Sequence, residues 1–193
     1  MSEESDKVEP RNSSGGGIVR VGAGDASRTA PATIDELAAR LRRRWASGVA
    51  VVTATDADAG FRGVTVTSLM AVSQEPPILA IALAASNTFQ LLAEVGTSLG
   101  VSMLESSHEF PAERFAGRAP VPDARFTGIR HRIENEVPIL EEALAWCMGR
   151  VASREEIGDH ILVLLEIVSG GLGPDTDDPL LSYEGRYRRL ETG

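Results

Sequence analysis

The period of apolar and polar positions changes along the chain, and each change marks an element. Leu37, Leu41 and Trp45 recur at i, i+4 and i+8, one helical face, which predicts an amphipathic helix over 34–46. Thr33 stands at its N-cap, Glu36 completes a capping box three residues on, and Gly48 is placed to close the helix. Val49 to Thr55 is then almost wholly apolar or β-branched. After a turn through Asp56 to Gly60 comes Gly63 to Val72, with Val64, Val66, Ser68 and Met70 on one face and Thr65, Thr67 and Leu69 on the other. Two such strands around a short glycine-containing turn predict an antiparallel hairpin. Pro76-Pro77 breaks the chain before Ile78 to Ala84, a run apolar on both faces.

Asn87 opens a short predicted helix, Thr88 to Val95, with Phe89, Leu92 and Val95 on one side and Gly96 at its end. Leu99 to Leu104 reads as a strand. Glu109 to Ala116 reads as a helical segment that tolerates Pro111 near its start. Residues 118–125, with Pro120 and Pro122, read as loop. Residues 139–151 fit two periods. Ile139, Leu140, Ala143, Leu144, Cys147 and Met148 make a helical stripe, whereas Leu144, Trp146 and Met148 alternate as in a strand; periodicity alone leans to helix. Ile161 to Val168 is a buried strand flanked by Gly158-Asp159 and Gly170-Gly171, and Leu180 to Leu190 holds both tyrosines, Tyr183 and Tyr187. Six or seven β segments with few long helices predict a mainly β fold, a barrel with helices covering its ends.

The first thirty residues stand apart. They hold five glycines between Gly15 and Gly24 and little that could form a core, which predicts a disordered N-terminal tail over 1–30 and one domain over 31–193. The tail carries five of the 28 acids and four of the 19 bases, leaving 23 acids and 15 bases, net −8 of the chain's −9, in the domain. That acidity argues against a nucleic-acid partner. Arg42, Arg43 and Arg44 form a basic knot that reads as a solvated helix face. No apolar run reaches the ~18 residues a bilayer crossing needs, and no secretion signal opens the chain, so no membrane association and a cytoplasmic location are expected.

Two counts narrow the chemistry. Lys7 is the only lysine and Cys147 the only cysteine, which excludes a lysine-ended phosphate loop and a Schiff-base lysine from residue 8 onward, an internal disulfide and a thiolate zinc cluster. His108, His131 and His160 show no metal-ligand spacing, and no metal site is expected. An enzyme so short of nucleophiles would borrow its reactivity from an organic cofactor. Three segments bear on that. Thr65-Val66-Thr67-Ser68 is a hydroxyl-rich strand, though such a strand can simply face water. Ser86-Asn87-Thr88 sits where a strand meets a helix, and those residues serve equally as helix caps or as hydroxyls and N–H groups for a phosphate. Gly158-Asp159-His160 is a tight turn feeding a buried strand, where a lone histidine is most often structural.

Together these segments resemble the flavin reductase family, small FMN-binding split-barrel proteins that supply reduced flavin to two-component monooxygenases. The resemblance runs from Gly48-Val49-Ala50-Val51-Val52-Thr53 to Gly185-Arg186-Tyr187-Arg188-Arg189-Leu190. It includes Gly63-Val64-Thr65-Val66-Thr67-Ser68-Leu69, Val72-Ser73-Gln74-Glu75-Pro76-Pro77, Ser86-Asn87-Thr88, Arg114-Phe115-Ala116-Gly117, Gly158-Asp159-His160 and Tyr183-Glu184-Gly185-Arg186-Tyr187. It implies a Greek-key split barrel, pushes residues 139–151 toward strand, and implies a homodimer with flavin near the subunit interface.

The resemblance also implies roles. Thr65, Val66, Thr67, Ser68 and Leu69 would lie along the isoalloxazine, and Ser86, Asn87 and Thr88 would hold the phosphate and ribityl chain. Arg114 and Phe115 would stand near the cofactor, with Ser102 where the family usually has Asn and Leu99 where it usually has Phe. His160 would sit beside the nicotinamide, and Tyr183, Gly185, Arg186 and Tyr187 would help close that side. The implied activity is hydride transfer from NADH or NADPH to FMN or FAD, with a flavin-dependent monooxygenase as partner. Two alternatives share the barrel: a flavin carrier without turnover, and an enzyme using bound flavin for another redox reaction.

Overall fold

A computed structural model of the protein describes residues 33–118, 126–173 and 178–190. The expected tail at 1–30 and nearly all of the expected loop at 118–125 lie outside them. The chain divides into two units, Met1–Trp45 and Ala46–Gly193. In the first, α1 (Ile34–Arg44) is capped as expected, with the Thr33 hydroxyl accepting from the Glu36 N–H at 3.1 Å. It ends at Arg44, before Gly48, and its apolar stripe is not buried: Leu41 and Trp45 are exposed.

The second unit is mainly β. In chain order it holds β1 (Ser47–Gly48), β2 (Ala50–Asp56), β3 (Gly60–Val66), β4 (Met70–Gln74), β5 (Pro77–Ala84), β6 (Ser98–Met103), α2 (Glu109–Phe115), β7 (His131–Glu134), β8 (Val137–Leu140), β9 (Ala145–Ile157), β10 (His160–Leu172), β11 (Leu181–Tyr183) and β12 (Arg186–Arg188). Seven strands form one antiparallel sheet in the order β3-β2-β6-β9-β10-β5-β4. The pairs β7-β8 and β11-β12 lie outside it, with β1 beside β11. The expected helix at 88–95 is a shorter 3-10 turn, Thr88–Leu92, which buries Phe89 and leaves Val95 exposed.

The sheet curls on itself. Val64 and Val66 of β3 share one core cluster with Leu79, Ile81 and Leu83 of β5 and with Ile161, Val163 and Leu165 of β10, although β3 is the first strand of the order and β5 the last but one. Side chains bridge the seam between them. The Ser68 hydroxyl donates to the Ala82 carbonyl at 2.7 Å and accepts from the Ala82 N–H at 3.2 Å, taking both roles of a ladder partner. Six residues earlier on one side and six later on the other, Arg62 donates to the Thr88 hydroxyl at 3.2 Å. The two ties are therefore in antiparallel register, along a seam where backbone pairing is absent from the ladders described. This is the split of the barrel.

Gly63 to Val72 is thus not one strand. The chain leaves β2 at Val66, crosses the seam through Thr67, Ser68 and Leu69, and joins β5 as β4. Residues 139–151 resolve as strand, with β8 and β9 separated by a turn in which Glu142 has φ +61°. The opposite face of β2 supports a second core, where Val49 and Val51 pack with Leu104, Ala112, Phe115, Leu140 and Leu180. A strand covered on both faces has no reason to alternate, which accounts for the continuous apolar run at 49–54.

Candidate functional site

The β9-β10 hairpin turns through Gly158-Asp159, with Gly158 at φ +61°. A positive φ at the first of two loop residues is the pattern of a type II′ turn, which only glycine enters without strain. The turn sets His160 opposite Ala84 of β5, and the Ala85 N–H donates to the Asp159 carbonyl at 2.9 Å. From that corner the chain passes through Ser86 to Asn87, whose side chain accepts from the Phe89 N–H at 2.9 Å. Ser86, Asn87 and Thr88 are exposed. Ser68 bonds Ala82, two residues back along β5. Three segments far apart in sequence thus meet at one end of β5 and β10: Thr67-Ser68-Leu69, Ser86-Asn87-Thr88 and Asp159-His160.

His160 is one-third exposed, with Nδ1 2.6 Å from the Asp159 carboxylate. That contact fixes the ring and leaves Nε2 as its other polar atom. Leu69 packs partly against the barrel core, while Thr67 is exposed.

Other expected site residues have their side chains committed elsewhere. The Thr65 hydroxyl donates to the Ala112 carbonyl of α2 at 2.6 Å, and Val66 points into the core. Ser102 is fully buried and accepts from the Leu140 N–H at 3.0 Å, so its hydroxyl does not reach this surface. Leu99 is likewise core. Phe115 packs in the second cluster, its ring 2.7 Å from where a Cβ on Gly63 would lie, and Arg114 stacks over Phe110 at 5.0 Å. The sequence reading also passed over one residue. Arg62, at the Thr88 end of the seam, brings a guanidinium to the hydroxyl loop. The lysine count already implied that any cation there must be arginine, but its partner lies 26 residues on.

Tyr183, Arg186 and Tyr187 lie on the hairpin of β11 and β12, which turns through Glu184 and Gly185, both at positive φ. Arg118 ties this hairpin to α2. Its Nε and Nη2 donate to the Glu113 carboxylate at 2.7–3.0 Å, and Nη2 also donates to the Tyr187 hydroxyl at 3.0 Å. Burial first, then the bond to Glu113, push the Tyr187 phenol up to about 12. The Arg118 guanidinium holds the Glu113 carboxyl below its usual range. A carboxyl depressed by folding contributes stability above its unfolded pKa and loses it as pH falls through the folded value. Glu113→Gln is accordingly expected to lower the melting temperature by only about 1–3 °C near neutrality, because the group is solvent-screened. The difference from wild type should close as melts are taken to acid pH; a gap that widens there would contradict this linkage.

Among the described residues no cluster of three or more His, Cys, Asp or Glu could hold a metal. Cys147 is buried and its thiol is pushed up to about 11 by burial, so it stays protonated and unreactive. No helix among the described residues is long and apolar enough to cross a membrane.

Residues 42–191 match the flavin reductase like domain family. The chain belongs to this family. It is 32% identical over 147 residues to the reductase component of 4-hydroxyphenylacetate 3-monooxygenase from Pseudomonas aeruginosa, covering 75% of this chain and 85% of that one. It is 33% identical over 147 residues to an NADH flavin reductase of Kitasatospora aureofaciens, covering 74% and 75%. Among solved structures, an NADH:FAD oxidoreductase of Streptomyces globisporus superposes with a TM-score of 0.75 at 26% identity, over 89% of this chain and 95% of that one. A flavin reductase domain protein from Arthrobacter gives 0.74 at 30% identity, over 82% and 97%. The family's fold is the split barrel expected from the sequence.

Proposed function

We propose that the protein is an NAD(P)H:flavin oxidoreductase that reduces FMN or FAD and passes the reduced flavin to a partner monooxygenase. The observation that carries this is the meeting of Ser68, Ser86-Asn87-Thr88 and His160 at one end of β5 and β10, in a chain whose relatives are named NADH-dependent flavin reductases. The exposed groups there suit a flavin: hydroxyls at Thr67, Ser86 and Thr88 for a polar ring edge and side chain, and Leu69 as apolar wall. Bound flavin supplies the redox chemistry, accepting two electrons as a hydride from reduced nicotinamide.

The chain's part is to hold and orient. Ser68 is rigid because both its hydrogen-bonding roles are engaged on β5, so it presents a fixed edge to the ring. Asn87 and Thr88 stand on a turn anchored by buried Phe89. His160, held by Asp159, borders the nicotinamide; the Tyr183–Tyr187 hairpin is tied instead to α2, away from the His160 corner. Preorganisation of this kind contributes through orientation and exclusion of water. The working unit is a homodimer in the cytoplasm; edge strand β4 exposes Met70 and Val72, apolar surface of the sort a second subunit covers.

The test is anaerobic mixing of the purified protein with each flavin and each nicotinamide in turn. Bleaching of the flavin absorbance, with NADH consumed only when flavin is present, is expected. Flavin binding without NADH consumption would leave a carrier instead, and no binding would end the proposal.

A further inference from the structure

The flavin reading leaves one charge without a role. Arg62 lies on the inward-facing side of β3, in step with Val64 and Val66, yet it is at the strand's open end and only 17% exposed. Its guanidinium makes two bonds among the described residues. Nη2 donates to the neutral Thr88 hydroxyl at 3.2 Å, and Nη1 meets the Asp56 carboxylate at 3.4 Å. The second is long for a charge-assisted bond, which closes to ~2.7–2.9 Å when well formed. Asp56 is occupied on its other oxygen, which accepts from the Asp58 and Ala59 N–H groups at 3.0 and 3.1 Å and so holds the β2-β3 turn. A largely buried guanidinium engaged through two of its five N–H donors, one of them on a neutral hydroxyl, is an under-compensated cation.

Thr88 accepts from Arg62 and so keeps its own O–H to donate; Ser86 and the Asn87 amide are exposed beside it. The end of the seam farthest from Ser68 is therefore a convergence of donors around one cation. Resting on the flavin-site reading, we propose that Arg62 is the charged ligand of the flavin's phosphate and makes the site select phosphorylated flavins over riboflavin. The Asp56 carboxylate is its resting partner, loosely held so that phosphate can displace it. The seam then sorts the cofactor by polarity along its length, with the ring toward Ser68 and the ester toward Arg62.

The test is flavin binding, read by fluorescence quenching without nicotinamide, for FMN and riboflavin side by side. Arg62→Gln is expected to raise the FMN dissociation constant about tenfold or more, the scale of one charge-assisted bond, with riboflavin changed less than about twofold. Arg62→Lys should fall between, keeping a point charge and losing the planar fork. Asp56→Asn, which keeps a turn-capping oxygen, should tighten FMN a few-fold and leave riboflavin alone. Equal loss of both ligands in Arg62→Gln, or no loss of either, overturns the assignment, as does an Asp56→Asn change that moves both flavins together. Wild-type protein that quenches neither flavin defeats the flavin site itself, whereas wild type that binds both with equal strength defeats only the phosphate role.

Discussion

Gly100→Ala is expected to cost the protein about 3 kcal/mol or more, and Gly100→Val to leave little folded protein. Gly100 sits in β6 between Thr53 of β2 and Met148 of β9, in the seven-stranded sheet. A Cβ there would run into the Thr53 hydroxyl and lie 2.7 Å from Ile139 Cδ1 and 2.9 Å from the Pro138 carbonyl. Real Cβ atoms essentially never come within 3.0 Å of such neighbours, and ordinary contact lies at 3.4–4 Å. None of the three neighbours can withdraw: Thr53 and Ile139 are fully buried, and the Thr53 hydroxyl donates to that same Pro138 carbonyl. The missing side chain makes room for β8 to lie across β6 and for a buried polar bond to form. Thermal melts check it, with a fall of roughly 6–12 °C for the alanine variant. Gly48→Ala is the control, since a Cβ there meets nothing within 4 Å, and it should melt within about 2 °C of wild type. A Gly100→Ala protein that melted with that control would show the sheet to be far more yielding than its packing implies.

Local pattern carried the strands whose partners do not matter to their period, and failed where partners do. Ile161 to Val168 reads correctly as strand because β10 buries Ile161, Val163 and Leu165 on one face, but burial ends there: Val168 is exposed, and the strand runs on to Leu172 through the Gly170-Gly171 pair expected to flank it. The helical stripe over 139–151 arises from joining two strands across a turn: β8 is buried throughout and β9 opens with Cys147, Met148 and Gly149 all buried, so neither shows a clean period of two there and their sum mimics a period near 3.6. The break of 63–72 was hidden for a different reason. The alternation of Val64 to Thr67 falters at Ser68-Leu69, but one polar residue on a strand face does not say that the chain changes partner from β2 to β5 there. In α1 the stripe and cap were read rightly, but an amphipathic pattern does not say what covers it.

The candidate site divides along the same line. Ser68, Ser86-Asn87-Thr88 and His160 were legible as motifs because polar groups at strand ends stand out against an apolar barrel, and the fold brings them together. Thr65, Ser102 and Phe115 carry equally suggestive chemistry, but each is spent on packing that only the three-dimensional partner reveals: Ala112, Leu140 and Gly63. Arg62 escaped notice for the converse reason, since its meaning depends on Thr88 across the seam.

His160→Ala is expected to lower kcat/KM for NADH by about ten- to a hundredfold while FMN affinity changes less than about twofold. The asymmetry follows from where the residue sits. The Gly158-Asp159 turn is fixed by the register of β10 against both β9 and β5, so deleting the imidazole leaves the backbone at Ala84 and Ala85 and the hydroxyl loop beyond it in place. Ser68, the expected ring contact, is tied to Ala82 independently of the histidine. What disappears is one part-exposed ring held at a set angle by the Asp159 carboxylate. Asp159→Asn should therefore reproduce a fraction of the defect, since the ring remains but its orientation relaxes, and the loss should appear in KM for NADH more than in kcat if the imidazole positions the nicotinamide. Steady-state rates across NADH concentrations, with FMN titrated separately by quenching, separate these terms. Wild-type rates at every NADH concentration would remove His160 from the site, and a parallel loss of FMN binding would make it part of the flavin pocket instead.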